Sequence, residues 1–90
     1  MSHITENKKS IQNRLNRIIG QLNGVQGLLD SDIECYKVLQ QMTAARGALN
    51  TLIQRYLEDH LIEHVIHEED TEKRHQGGEE VVRLIRSYLK

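Results

Sequence analysis

Apolar side chains along this chain recur at alternating intervals of three and four. Ile11, Leu15, Ile18, Leu22, Val25 and Leu29 are spaced 4-3-4-3-4. That is a heptad seam, and it predicts a helix over about residues 5–29. Gly20, Gly24 and Gly27 interrupt it. Each weakens a helix by roughly 1 kcal/mol relative to alanine, and each leaves room for a neighbour to approach closely. Asp30-Ser31-Asp32 reads as a tight turn carrying a new N-cap. A second seam then runs through Cys35, Val38, Met42, Ala45, Leu49, Leu52 and Tyr56, spaced 3-4-3-4-3-4. It predicts a long second helix over about 33–66, because Gly47 stands alone among good helix formers. Residues 68–78, EEDTEKRHQGG, read as a polar connection. Glu79 and Glu80 open a short third helix, about 79–89, with Val81, Leu84, Ile85 and Tyr88 on its apolar face. The expected fold class is all-α: long helices 1 and 2 antiparallel, helix 3 short, and residues 1–90 one domain.

Composition narrows the function. Ninety residues allow one small domain with a limited core. There is no proline, tryptophan or phenylalanine, and the tyrosines are Tyr36, Tyr56 and Tyr88. That argues against a β-sandwich and against RNA modules that stack bases on aromatics. It suits a helical protein that gains core by oligomerising. No apolar run approaches membrane-spanning length and no signal peptide precedes the polar start, so a cytoplasmic location is expected. The single cysteine, Cys35, excludes an internal disulfide and a four-cysteine zinc site within one chain.

The net charge of −1 hides an uneven distribution. Residues 1–57 carry seven basic and four acidic side chains, residues 58–80 two basic and nine acidic, and residues 81–90 three basic and none acidic. An acidic belt therefore separates two basic regions, and the mean charge conceals a candidate anion-binding face.

Three of the five histidines, His60, His64 and His67, fall in the stretch HLIEHVIH at i, i+4 and i+7. On a helix that is one narrow stripe. It reads either as a solvated end opposing the negative helix dipole or as a binding site. The histidines prolong the second seam, a core stripe, which favours binding. Cys35 lies at the other end of that stripe, 25 residues from His60. In a continuous helix this is roughly 37 Å, beyond the reach of one ion. Two antiparallel copies of helix 2 resolve this by setting Cys35 of one chain opposite His60 of the other. They cross near residues 47–48, where Ala44-Ala45-Arg46-Gly47-Ala48 is rich in small side chains. Helix 1, folded back on helix 2, brings His3 near residues 59–60 of its own chain. Taken separately, Cys35 reads as an inert buried thiol and His3 as part of a loose tail. Together the four form a metal site of Cys35, His60, His64 and His3.

These stretches resemble the CsoR/RcnR family of metal- or chemical-sensing transcriptional repressors. The resemblance covers nearly the whole chain. It rests on RLNRIIGQLNGVQGLL, on Cys35 within ECYKVLQQ, on AARGALN, on HLIEH and on RSYLK. The pattern is similar to the nickel/cobalt-responsive, RcnR-like branch, in which His64 takes the position that separates the branches and His3 completes the set. The resemblance implies a three-helix protomer, a dimer of antiparallel dimers forming a disc-like homotetramer, and operator DNA as partner. It also implies that metal binding weakens the DNA complex and derepresses an efflux gene. One sulfur with several imidazoles suits nickel(II) or cobalt(II), and zinc(II) fits a Cys-His-His-His set equally well. Ser2 is small, so Met1 is expected to be removed, which would free an amine one residue from His3.

A DNA surface without a helix-turn-helix needs clustered cations. Arg14 and Arg17 are i, i+3 neighbours off the apolar seam of helix 1, and Lys8 and Lys9 precede them. A tetramer repeats this patch four times, so that phosphate contacts add. Arg46 serves packing or DNA. Three competing readings stand beside a nickel- or cobalt-responsive repressor. One is a formaldehyde-responsive repressor of the same family using Cys35. Another is a metal-storage coiled coil that ignores DNA. An enzyme with Cys35 as nucleophile is the weakest, because no oxyanion-hole loop is present.

Overall fold

The computed structural model describes residues 3–31 and 34–88, with side chains from residue 8 onward. Three α-helices span His3–Asp30 (α1), Cys35–Leu61 (α2) and Thr71–Tyr88 (α3). A π turn, Ile62–Ile66, follows α2 directly. No strand occurs among the described residues, and the all-α expectation is met. The chain falls into two compact units, one of residues 7–54 and one of residues 1–6 with 55–90.

In the first unit α1 and α2 are joined over a short connection. Ser31 closes α1 by donating its backbone N–H to the Gly27 carbonyl at 3.1 Å and its Oγ–H to the Leu28 carbonyl at 3.2 Å. α2 opens beyond Glu34, whose carbonyl accepts the N–H of Lys37 at 3.0 Å. The N-cap expected at Asp32 lies outside the described residues. The buried side chains are Ile18 and Val25 on α1, and Val38, Ala45 and Leu52 on α2. Each set repeats every seven residues, so one position per heptad is buried. The alternate seam positions stay exposed, including Leu15, Leu22, Leu29, Met42 and Leu49. Leu22 is 51% exposed and Leu29 60%, values more typical of a surface than a core. No large side chain among the described residues is fully buried. The room that Gly20, Gly24, Gly27 and Gly47 leave is not filled within the chain, since a Cβ built on any of them meets nothing within 4 Å.

The second unit departs from the sequence expectation. Residues 68–78 are not one polar connection, and the third helix begins at Thr71 rather than near 79. The cause is a cap. Asp70 Oδ2 accepts the N–H of Lys73 at 2.9 Å, the third helical position, and the Asp70 carbonyl accepts the N–H of Arg74 at 2.9 Å. Glu68 Oε2 accepts the Asp70 N–H at 3.2 Å and holds the cap in place. Helix 3 thus starts on a strong capping signal in a stretch with no apolar periodicity to reveal it. Its buried positions are Gly77 and Val81, one turn apart on the edge that packs on the π turn. Asp70→Ala should therefore cost about 1 kcal/mol of unfolding free energy in urea at fixed chain concentration, with Asp70→Ser recovering most of it. An unchanged midpoint in Asp70→Ala would show that this bond does not hold the helix start.

Candidate functional site

His60 lies in the last turn of α2 and His64 in the π turn that continues it. The wide turn closes where His67 donates its N–H to the Ile62 carbonyl at 2.9 Å. It changes the angular register of the residues beyond it. His67, expected on the same stripe, ends the turn with φ −95° and ψ 0° and is exposed. His60 and His64 remain together, with ring centroids 4.7 Å apart and planes tilted by 44°. Both are half-buried.

The electrostatics of the pair are unusual at His60. Its Nε2 is buried and forms no hydrogen bond. Glu80 of α3 approaches it, with Oε1 at 3.5 Å, but stops short of bonding geometry. A buried polar atom without a partner costs on the order of 1–3 kcal/mol. An imidazole nitrogen held this way beside a second imidazole fits a nickel(II), cobalt(II) or zinc(II) ion, all of which accept imidazole donors. Buried Gly77 of α3 sits against the His64 backbone. Neither Glu80 nor Gly77 was expected from sequence in this role. Glu79 and Glu80 read as a helix opening and Gly77-Gly78 as the end of a polar connection.

Of the other expected ligands, Cys35 is a free, exposed thiol at the first residue of α2. α2 runs unbroken from Cys35 to Leu61, which is the premise of a site shared between two chains. The backbone of His3 opens α1 and belongs to the same compact unit as His60 and His64, while its side chain lies outside the described residues. Met1 and Ser2 also lie outside them. Among the described residues no three His, Cys, Asp or Glu side chains form a group able to hold an ion. His75 is exposed and pairs with Glu79 one turn on, Nε2 to Oε1 at 2.7 Å.

The expected DNA-contacting side chains all belong to the other unit. Arg14 and Arg17 line an open groove with Ile18 and Gln21 of α1 and with Ala48 and Thr51 of α2. Arg14 is half-buried and Arg17 exposed, as are Lys8, Lys9 and Arg46. Gln21 Oε1 is buried there without a hydrogen-bond partner.

The chain is similar to known proteins in sequence and fold. The family described as metal-sensitive transcriptional repressor matches residues 7–87. The transcriptional repressor RcnR of Citrobacter koseri is 38% identical over 90 residues, covering 100% of both chains. That of Escherichia coli K12 is also 38% identical over 90 residues and covers 100% of both. Among solved structures, the chain is similar to a glutamate-to-histidine variant of the formaldehyde-responsive regulator FrmR from Salmonella enterica serovar Typhimurium. The TM-score is 0.87 at 38% identity, over 96% of this chain and 98% of that one.

The orphaned nitrogen generates a stability prediction. His60→Leu should leave the metal-free protein as stable as the parent or raise its unfolding free energy by about 1 kcal/mol, because it removes an unsatisfied buried atom. It should at the same time weaken cobalt(II) binding. Urea denaturation of the metal-free variant is the check, and a clear loss of stability would mean that Glu80 already satisfies His60.

Proposed function

The chain belongs to the metal-sensitive transcriptional repressor family, and from this we propose that it grips operator DNA when metal-free and releases it when nickel(II) or cobalt(II) binds. The observation that carries the reading is the His60–His64 pair, whose buried His60 Nε2 forms no hydrogen bond. The family is one of repressors rather than enzymes, and DNA is the partner that such a protein requires. No described helix is long and apolar enough to cross a membrane, and we place the protein in the cytoplasm.

His60, His64 and His3 would hold the ion from one chain and Cys35 from a second. One thiolate with three imidazoles favours nickel(II) or cobalt(II), and zinc(II) is the competing ion. A second chain is supported by the half-exposed heptad seams of α1 and α2, which offer Leu22, Leu29 and Met42 to a partner. The proposed assembly is a homotetramer built as a dimer of antiparallel dimers, with residues 1–90 acting as one metal-sensing, DNA-binding domain.

The two compact units divide the work in this reading. Arg14, Arg17, Lys8, Lys9 and Arg46 would meet phosphates, with affinity dominated by charge. His60, His64 and His3 would gather the ion. The ion would draw its ligands from two chains, and that set would favour one arrangement of the chains. Cys35 joins that set through the residue that opens α2, so the start of this helix shifts against its partner. The arginine patches then lose their spacing on the DNA.

Two variants test the division. His64→Leu should keep DNA affinity and lose release by nickel(II). Arg14→Ala with Arg17→Ala should keep nickel(II) affinity, weaken DNA binding and lower the salt dependence by about one unit for each phosphate no longer neutralised. Gel-shift and anisotropy titrations at several salt concentrations read both. Release of His64→Leu at the parent's nickel concentration would remove His64 from the sensor. Formaldehyde rather than metal releasing the parent, with dependence on Cys35, would favour the second reading that the similarity to FrmR supports.

A further inference from the structure

α3 carries two glycines in succession, and they are not equivalent. A helix loses about 1 kcal/mol for each glycine relative to alanine, so both weaken α3. At Gly78 an added Cβ meets nothing within 4 Å. At Gly77 an added Cβ would lie 2.5 Å from the His64 carbonyl oxygen, 3.1 Å from its carbonyl carbon and 3.1 Å from its Cβ. Gly77 is buried and Gly78 only partly so. The atoms that crowd Gly77 are backbone and the root of a side chain, so they cannot swing aside as the tip of a flexible side chain would.

We propose that Gly77 is a positioning residue for His64: its missing side chain lets α3 seat directly on the His64 carbonyl and so fixes the π turn in the form that holds His64 beside His60. The inference rests on the reading of His64 as a metal ligand. A π turn is an uncommon local form, found often at functional sites, and needs outside support to persist. Nothing in IEHVI enforces it. The support comes from α3, whose buried edge is Gly77 and, one turn on, Val81. The relevant tolerance is small. A ligand set works within roughly 0.5 Å of its required geometry, and the two rings here stand 4.7 Å apart. A methyl group at position 77 must either lift α3 or reset the π turn, and both displace His64. Choice of residue on α3 thus tunes the metal site without contributing a ligand.

The test compares Gly77→Ala with Gly78→Ala in the full chain. The two share the gain in helix propensity and differ only in the contact. Histidine NMR of the metal-free proteins reads the position of His64, and titration with cobalt(II) alone reads affinity and the ligand-field bands. Gly77→Ala should shift the His64 resonances, lower cobalt(II) affinity by roughly 10- to 100-fold and alter the bands. Gly78→Ala should match the parent in all three and melt no lower. If both variants leave the His64 resonances and the cobalt bands as in the parent, the proposal is overturned. His64→Leu, titrated alongside, separates the failures: an unchanged cobalt affinity there defeats the ligand reading, while the metal-free resonances still judge Gly77. If Gly77→Ala does not fold, the parent decides. A nuclear Overhauser contact between the Gly77 α-protons and the His64 β-protons is expected, and its absence overturns the proposal.

Discussion

Burial of one side chain per heptad governs this molecule. Among the described residues, Ile18 and Val25 on α1, and Val38, Ala45 and Leu52 on α2, are the positions that these two helices remove from water. Two of the five are valine and one is alanine, so the hydrophobic gain per turn is small. The alternate stripe of leucines and Met42 remains at the surface, apolar and in register along both helices. A chain of this length with no fully buried large side chain among the described residues has little margin to fold alone. In the proposed reading the same deficit would provide the means of sensing. A ligand set divided between chains, as proposed, would be sensitive to how they are arranged, and the arrangement would be open to change because each chain buries so little by itself.

The long helices were legible because their periodicity is sustained. Six apolar positions on α1 and seven on α2 recur at three and four, and no other local form satisfies such a run. Which half of each stripe a single chain buries was not legible, since the pattern reads the same for intrachain and interchain contacts. The first turns of α3 were missed for a different reason. Residues 71–76 hold no apolar side chain, so periodicity is silent, and the informative residue was Asp70 as a cap. Gly77-Gly78 fell within the expected polar connection because sequence cannot show that the His64 carbonyl fills the space where one of the two side chains would be.

At the candidate site, residue types and spacing pointed to His60 and His64, and the structure sets their rings side by side. The π turn was hidden, because HLIEHVIH is as compatible with α-helical turns as with a wide one. Its effect is to separate His67 from the pair, a distinction that spacing at i, i+4 and i+7 cannot make. Glu80 near His60 and Gly77 behind His64 depend on how α3 packs, which no local pattern encodes. The histidine pair therefore combines a local feature of α2 with tertiary support from α3. A buried nitrogen without a hydrogen bond and an uncommon turn, both costly in a purely structural helix end, would be intelligible if an ion completed the site, as proposed.

Coupling between the histidine end and the arginine face is the central claim, and linkage tests it most directly. Nickel(II) affinity is measured on the full chain at one salt concentration, without DNA and with a saturating DNA fragment selected for binding the metal-free protein. DNA affinity is measured with and without nickel(II). Reciprocal coupling requires DNA to weaken nickel binding by the same factor as nickel weakens DNA binding, roughly 5- to 150-fold for couplings of ordinary size. Equal nickel affinity in the presence and absence of bound DNA would contradict a metal-driven switch.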